Sequence, residues 1–298
     1  MTAVAAEPGR FASGGRGRSA LLTSLLVLPT ALWYGLLLVA PLAIIFVFSF
    51  GVRARNGGYA PAFVLDNYAD LFNRPEPYIN SLIMAGAGTI GCLLIGLPLA
   101  YFLATRAGKR KNLLILLLVI PFWTSFLIRT YAWLLIFNSD SGLDGILSEL
   151  LGTRVKINGT PFAVFIGIVY GYLPLMVFPL YVTLERLDRT LVEASKDLGA
   201  GRWATFRQIT LPMALPGLVT GSILVFIPMM GEYVIPAILG YGTYYMAGSA
   251  LVSSFLEARN WPAGSARAVF LIVVMMVTIA FYLWFVNRGR KVRETSVL

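Results

Sequence analysis

The chain contains no histidine, only one cysteine and few charged side chains: Asp, Glu, Lys and Arg together make up 13% of its 298 residues. The absence of histidine removes the commonest metal ligand and general base of proteins. A single cysteine, Cys92, excludes an internal disulfide framework. No Walker A sequence occurs, so the chain does not bind ATP through a P-loop. We therefore expect no catalytic residue, no metal site and no cofactor.

Hydrophobic residues are abundant and make up 58% of the chain. A soluble domain carries about 25% charged residues, and it could not keep so much apolar surface away from water. The composition therefore predicts an all-α membrane protein. The net charge of +10 could suggest nucleic-acid binding. However, the basic residues are scattered among the flanks of apolar runs, whereas a nucleic-acid site gathers them on one face.

Six long apolar runs contain at most one charge each: residues 20–52, 77–105, 112–139, 157–184, 208–231 and 268–287. A helix needs about 20 such residues to cross a membrane. The first run follows three arginines, as in a signal peptide, but it is too long for one and predicts an uncleaved span. The sequence thus predicts a six-span domain, residues 20–288, between a disordered basic tail (1–19) and a C-terminal tail (289–298).

The distribution of Lys and Arg predicts the orientation. If both termini are cytoplasmic, the predicted cytoplasmic segments hold 16 basic residues and the outer segments hold seven. This agrees with the positive-inside rule. One outer segment, residues 240–266, contains a charge-free stretch too short to span, and we expect an interfacial or re-entrant helix there.

The predicted cytoplasmic loop 185–212 holds nine charged residues, and its first half is patterned as a helix. Apolar residues recur there at helical spacing: Leu187, Leu191, Ala194 and Leu198. Thr190 stands three residues before Glu193, a capping-box spacing that predicts a helix start. Gly199 predicts the end of the helix.

The second half of this loop repeats an apolar residue every three positions, at Trp203, Phe206 and Ile209, and we expect Pro212 to end the cytoplasmic segment. The two halves predict two short amphipathic helices at an angle, a shape suited to a groove on a soluble partner. A single amphipathic helix lying on lipid headgroups is the alternative, but it does not account for the pairing.

One set of loop residues follows a known motif: Glu193, Ala194, Ser195, Gly199, Ile209, Leu211 and Pro212. Their spacing resembles the EAA loop of permease subunits in ATP-binding-cassette importers, in which Glu-Ala-Ala precedes a glycine and an Ile-x-Leu-Pro sequence. Only Ser195 departs from the motif, which has alanine there. The resemblance implies that these seven residues lie where the loop meets an ATPase.

Four further stretches resemble the spermidine/putrescine-type branch of these permeases: LDNYADLF, PFWTSFLIRTYAW, LPMALPGLVTGSILVFIPMMGEYVIPAILG and RNWPAGSARAVF. The resemblance covers most of residues 20–290. It implies the type I importer permease fold, with six helices and cytoplasmic coupling helices, in the bacterial inner membrane. The implied partners are a second permease subunit, expected to be a paralogue, two copies of a cytoplasmic ATPase and an extracytoplasmic binding protein.

The substrate that the resemblance implies is a small polar solute, with a polyamine or a related organic cation preferred. Opine-like, amino-acid-like and phosphonate-like compounds are the alternatives. Two other classes of protein are open on the residues alone. A membrane-embedded enzyme would need a polar cluster for proton transfer or metal binding, and a secondary transporter should contain an inverted repeat.

Two ionisable residues, Arg129 and Glu232, fall inside predicted spans. Helical rise places both at a similar depth in the outer third of the membrane. Because a charge in lipid is unfavourable, each needs a partner or a water-filled path. They could form an ion pair with each other, or their side chains could extend outward to the membrane surface. Alternatively, Glu232 could contact a cationic substrate beside aromatic rings.

The aromatic residues near that level are Tyr131, Trp133 and Tyr233, followed by Trp123, Tyr170 and Tyr172. We take the first three, with Arg129 and Glu232, as candidates for the substrate path. Tyr and Trp are also enriched at membrane interfaces as anchors, which is the alternative role of these rings.

Overall fold

The computed structural model describes residues 26–137, 142–153 and 156–295, and the predicted tail of residues 1–19 lies outside this part. The described part is helical except for loops and one antiparallel hairpin, β1 (Val52–Arg53) and β2 (Tyr59–Ala60). Its helices are α1 (Leu26–Phe48), α2 (Asp66–Asn73), α3 (Glu76–Thr105), α4 (Lys111–Trp123), α5 (Phe126–Ile136), α6 (Leu143–Leu151), α7 (Pro161–Glu185), α8 (Arg189–Asp197), α9 (Arg202–Met230), α10 (Val234–Leu239), α11 (Ala247–Val252) and α12 (Trp261–Thr295). The predicted all-α class is confirmed.

Five helices of the described part are long and apolar enough to cross a membrane: α1, α3, α7, α9 and the Trp261–Trp284 portion of α12. The α4–α5 pair is the sixth candidate span if its two halves count as one. Each candidate coincides with one of the six predicted apolar runs. α12 continues beyond the predicted end of the last span and is described as far as Thr295.

The third predicted span is not one continuous helix. α4 and α5 meet at an angle of 93°, and Thr124 and Ser125 between them have extended backbones, with ψ of 154° and 134°. Pro121 lacks an N–H, which weakens the last turn of α4, and Thr124 Oγ1 donates to the Pro121 carbonyl at 2.7 Å. The continuous helical rise from which the depth of Arg129 was inferred is therefore absent.

The core of the bundle is the contact of α3, α7 and α9, which pack against one another along much of their lengths. Small residues bring these helices close, as is common between membrane helices. At Gly217 in α9, an added Cβ would lie 2.5 Å from the Pro179 carbonyl oxygen of α7. At Gly88 in α3, it would lie 2.8 Å from Met229 Sδ. Gly217 therefore requires glycine for the observed helix separation, whereas at Gly88 the flexible Met229 side chain would have to move.

α1 is attached to the rest of the bundle mainly at one end. No residue of its apolar window is buried. At its C-terminal end the Phe48 ring stacks on Tyr59 of β2, with 4.1 Å between ring centroids, and lies 6.3 Å from the ring of Trp261 in α12. Asn67 of α2 adds hydrogen bonds from Nδ2 to the carbonyls of Ser49 and Gly51, at 3.0 and 2.9 Å.

The segment 240–266, for which the sequence predicts an interfacial or re-entrant helix, contains α11 and a π-turn at Ser253–Glu257. The N-terminal part of α11 is buried inside the bundle, since Ala247 is 0% and Ala250 3% exposed. The Ala247 amide donates to Ser81 Oγ of α3 at 2.9 Å. Arg267 of α12 donates to the Ala250 carbonyl and to Ser254 Oγ. This helix is therefore held by α3 and α12.

We expect Gly217→Ala to lower the free energy of unfolding by about 1–3 kcal/mol, because overpacking forces a shift of backbone atoms. The measurement is thermal unfolding in detergent, followed by tryptophan fluorescence. Gly86→Ala in α3 is the matched control, since a Cβ there meets no heavy atom within 4 Å. Equal unfolding temperatures for the two variants would show that α7 and α9 tolerate a wider separation.

Candidate functional site

The cytoplasmic loop folds as two helices, and the first begins one residue before Thr190. Asp188 is the N-cap of α8, and its Oδ1 accepts a hydrogen bond from the Thr190 amide at 2.9 Å. The predicted capping box of Thr190 and Glu193 is therefore wrong. Both residues lie within the helix, because Asp188, a preferred N-cap residue, occupies the position before its first turn.

Gly199 ends α8, as predicted. Its φ of +83° lies in the left-handed region that favours glycine. The Gly199 amide donates to the Lys196 carbonyl at 2.9 Å, and the Ala200 amide donates to the Ser195 carbonyl at 3.0 Å. This pair of bonds is the Schellman arrangement that satisfies the last carbonyls of a helix. The chain can then turn sharply before the second helix.

The second helix of the loop is continuous with the fifth span, which corrects the prediction of a separate short helix. α9 begins at Arg202 and runs to Met230, with a π-turn at Phe206–Thr210. Pro212 has no N–H to give to the carbonyl four residues earlier. One residue earlier, the Leu211 amide donates to the Phe206 carbonyl and closes the π-turn. The helix thus passes Pro212 without ending.

The loop exposes a set of apolar side chains at the turn between α8 and α9: Leu198 is 88%, Trp203 73% and Leu191 45% exposed. Leu187, the first residue of the predicted stripe, is instead buried within the chain. Exposed apolar patches of this kind mark interaction surfaces. We call Leu191, Leu198 and Trp203 the apolar knuckle.

The seven motif residues divide into two groups by exposure. Glu193, Ala194 and Gly199 are exposed beside the apolar knuckle. The other four are partly buried: Ser195, Ile209, Leu211 and Pro212. Ser195 Oγ lies 3.0 Å from Thr205 Oγ1 of α9. The exposed group is accessible to a partner, whereas Ser195 of the partly buried group joins α8 to α9.

An ion pair at the base of the loop was not predicted. Lys111 Nζ, at the start of α4, bonds to Glu185 Oε1, the last residue of α7, and lies 5.5 Å from the centre of the Tyr181 ring. The pair fixes the position at which the chain leaves α7 for the loop. Its partners are 74 residues apart, so no local pattern could identify them.

Glu232 is 6% exposed, and its carboxylate is bonded by the protein itself. Oε1 accepts from the amides of Tyr233, Val234 and Ile235, at 3.0, 2.8 and 3.4 Å. Oε2 accepts from Tyr172 Oη of α7 at 2.5 Å. A carboxylate at the N-terminus of a helix is favourable. Glu232 thus caps α10 where the fifth span has ended.

Arg129 does not pair with Glu232, so the ion-pair interpretation is wrong. Within the described part of the chain, no carboxylate oxygen lies within 4.0 Å of its guanidinium nitrogens. The guanidinium carbon instead lies 5.0 Å from the centre of the Phe122 ring and 5.7 Å from that of Phe126. The buried Nε–H of Arg129 has no hydrogen-bond partner in this part of the structure.

The aromatic candidates for the substrate path do not all lie together: one lines a cleft with Arg129, and two are exposed elsewhere. Trp133 and Arg129 line one narrow cleft together with Tyr170 and Ile235. Tyr131 is 53% exposed and Tyr233 is 44% exposed, and neither lines this cleft. Ile235 lies between the two charged residues. It lines the cleft of Arg129, and its amide donates a hydrogen bond to Glu232 Oε1.

The N-cap of α8 should depend on pH. The hydrogen bond from the Thr190 amide holds the pKa of Asp188 below its ordinary value. The cap therefore stabilises α8 above about pH 4, the ordinary pKa of Asp. This stabilisation is lost as the pH falls through the lower pKa of the folded state.

We expect amide hydrogen-exchange protection in the first turn of α8 to decrease in acid for the unaltered chain. In Asp188→Ser, whose cap is uncharged, the protection should not change over that range. The same acid-induced loss in both proteins would mean that the Asp188 carboxylate does not hold the start of α8.

Comparison with known proteins adds to this geometry. Residues 96–291 match the model of the family described as binding-protein-dependent transport system inner membrane component. The chain is 38% identical over 254 residues to the spermidine/putrescine transport system permease protein PotB of Haemophilus influenzae, covering 84% of this chain and 89% of that one. It is 37% identical over 260 residues to the PotB of Escherichia coli K12, covering 86% and 94%.

Among solved structures, a bacterial ABC transporter that imports the polysaccharide alginate matches with a TM-score of 0.70 and 18% identity, covering 91% of this chain and 96% of that chain. The methionine ABC transporter MetNI matches with a TM-score of 0.53 and 19% identity, covering 74% and 97%. These two matches support the fold alone.

Family membership implies an ATPase and a binding protein as partners, and it excludes the membrane-enzyme and secondary-transporter alternatives. This chain belongs to the binding-protein-dependent transport system inner membrane component family, as a multi-pass permease subunit of an ATP-binding-cassette importer.

Proposed function

We propose that this chain forms half of the translocation path of a polyamine importer. The observation that carries the proposal is the 37–38% identity to spermidine/putrescine permeases along 84–86% of the chain. A buried carboxylate at the predicted outer end of the fifth span supports it, since Glu232 supplies the negative charge that an ammonium group needs. A second permease subunit, expected to be a paralogue, would supply the other half.

We infer that both termini are cytoplasmic, because this orientation obeys the positive-inside rule. It places the apolar knuckle and the exposed motif residues Glu193, Ala194 and Gly199 on the side where an ATPase works. Two copies of the ATPase would serve the two permease subunits. The apolar side chains would fill a groove on the ATPase surface, and the surrounding charges would set the orientation of docking.

Coupling then follows from the continuity of α9. When the ATPase subunits approach each other, α8 and the start of α9 move with them. Because α9 is one helix of 29 residues from Arg202 to Met230, its cytoplasmic end and its far end turn together. The partly buried motif residues Ile209, Leu211 and Pro212 lie inside this helix and would transmit the movement, while Ser195 joins it to α8.

The substrate path would pass the carboxylate of Glu232. Oε1 already accepts three N–H groups, but Oε2 accepts only the Tyr172 hydroxyl. A carboxylate oxygen has two lone pairs, so Oε2 retains one acceptor position for an ammonium group. The exposed ring of Tyr233 could add a cation–π contact. Because the carboxylate is buried here, it would become accessible when the surrounding helices separate during the cycle.

The other candidates would line the remaining walls of the path. Arg129 and Trp133 share the neighbouring cleft, where the ring of Trp133 would supply an aromatic wall and Arg129 would not bind a cation itself. Tyr131 is exposed and would face the half of the path that the second permease subunit supplies. The absence of an anionic partner for Arg129 in the described part of the chain favours one alternative, a zwitterionic substrate of the amino-acid or opine type. Its carboxylate would bind Arg129, while its ammonium group would bind Glu232.

We expect Gly199→Ser to reduce transport strongly, because a non-glycine residue in the left-handed region costs about 1–2 kcal/mol and would distort the turn between α8 and α9. Glu193→Ala should also reduce transport, through loss of an exposed contact. The measurements are substrate uptake in cells and co-purification of the ATPase in mild detergent, with the amount of chain in the membrane unchanged.

Gly201→Ser is the matched control for the loop. Gly201 has a φ of −67° as the N-cap of α9, and a Cβ there meets no heavy atom within 4 Å. Serine is favoured at such a position, so this variant should transport normally. Normal transport by both Gly199→Ser and Glu193→Ala would overturn the assignment of the loop.

We expect Glu232→Gln to reduce polyamine uptake about tenfold or more, because a hydrogen bond to a charged group is worth about 1.5–3 kcal/mol. The amide oxygen of glutamine can still cap α10, so assembly should be unchanged. Tyr172→Phe removes the other bond to Oε2 and should leave uptake nearly intact. Uptake is measured with labelled putrescine, and the amount of assembled complex is measured by pull-down.

Three outcomes separate the alternatives for Glu232. If Glu232→Gln loses assembly, the carboxylate is only a structural cap. If it assembles and imports putrescine normally, Glu232 does not contact the substrate. Arg129→Gln distinguishes the substrate classes: it should spare putrescine uptake, whereas a zwitterionic substrate would lose its carboxylate partner and its uptake.

A further inference from the structure

We propose that the hydrogen bond between Ser195 and Thr205 is a latch that fixes the angle between α8 and α9, so that these two residues are positioning residues for coupling to the ATPase. The proposal rests on the coupling role proposed for the loop and adds a part that the EAA motif does not contain. The two hydroxyl oxygens are 3.0 Å apart and belong to different helices.

The direction of this bond follows from the surroundings of Thr205. Thr205 Oγ1 also lies 3.2 Å from the Gly201 carbonyl and donates to it. A hydroxyl has a single proton to donate. Ser195 Oγ–H is therefore the donor to Thr205 Oγ1, and the two bonds form a chain from Ser195 through Thr205 to the first turn of α9.

The hydrogen bond between Ser195 and Thr205 lies where it can hold α8 and α9 together. Thr205 is 5% exposed, so water competes little for its hydroxyl. Ser195 is held on its other side as well, because its carbonyl accepts from the Ala200 amide at 3.0 Å. Among the described side chains of the loop, no other hydrogen bond joins α8 to α9. The angle between the two exposed surfaces of the apolar knuckle thus depends on this contact and on the backbone turn at Gly199.

Ser195 is the single departure of this chain from the Glu-Ala-Ala sequence of the motif. Alanine at this position could fill the same space but could not form a directional bond. Ser195→Ala is therefore a clean test of the latch. It removes the donor while Thr205 keeps its bond to the Gly201 carbonyl, and no buried polar group loses its last partner.

The experiment uses the complete transporter with its ATPase, reconstituted in vesicles, and measures the ATP hydrolysed per solute imported. The loss of one hydrogen bond is worth about 0.5–1.5 kcal/mol. We therefore expect Ser195→Ala to raise this ratio about two- to tenfold, with an unchanged amount of bound ATPase. Thr205→Val should behave in the same way, and Thr205→Ser, which retains the hydroxyl, should keep the original ratio.

Thr190→Ala is the matched control, because it removes an exposed hydroxyl of α8 that interacts with Asp188 at the start of the same helix. Spin labels at Lys196 and Arg207 supply an independent measurement, since a loss of the latch should broaden the distribution of distances between them. Unchanged ratios and an unchanged distance distribution for Ser195→Ala would overturn the latch. Failure of the unaltered chain to bind any ATPase would instead overturn the proposed function.

Discussion

The structure depends on one constraint: a backbone N–H or C=O inside a membrane must find its hydrogen bond within the protein. A continuous helix meets this condition through its own backbone hydrogen bonds. Where a helix breaks, a side chain must form the hydrogen bond with the free backbone group. After α9 ends, Glu232 accepts from three consecutive amides at the start of α10. At the bend between α4 and α5, Thr124 donates to the carbonyl of Pro121. Glu232 and Thr124 are thus polar residues that satisfy backbone groups beside breaks in helices.

This constraint links the two functional regions of the chain. α9 spans about 43 Å at 1.5 Å per residue, and it joins the cytoplasmic loop directly to the capped break that holds Glu232. No flexible segment separates the surface that would meet an ATPase from the carboxylate that would meet a substrate. The glycine contacts with α7 allow α9 to lie deep in the bundle, so that any tilt of this helix must change its packing in the core.

Much of the architecture could be predicted because it depends on local composition. Apolar runs identified the six candidate spans, and Gly199 identified the end of α8. The bend at Thr124 and Ser125 was not predicted. Apolar residues continue on both sides of it, and composition does not show where the axis of a helix changes direction. The second loop helix was predicted to be short and separate, but α9 continues through Pro212 into the fifth span. The amphipathic pattern of the loop does not show whether its helix stops before the apolar run that follows.

The candidate site was harder to predict than the fold. Charge and apolarity placed Arg129 and Glu232 in spans, but the absence of a bond between them depends on where α5 points after the bend. The Tyr172 and Lys111 contacts join residues that are 60 and 74 positions away from their partners. Such pairs are chosen by packing between helices, which periodicity along one helix does not describe.

The π-turn at Phe206–Thr210 has a further consequence for how such a loop can evolve. An ordinary helix advances about 100° per residue, and the wide turn accommodates one additional residue. The buried positions Thr205 and Thr210 are accordingly five apart, whereas the later buried residues Ala214, Gly217 and Gly221 are three or four apart. Gaining or losing one residue in this turn would rotate Trp203 and the start of α9 about the helix axis. The buried residues from Ala214 onward would keep their register, and the ring contact between Phe206 and Tyr101 of α3 would change. A transporter could thus be adapted to a differently shaped ATPase by a single insertion or deletion.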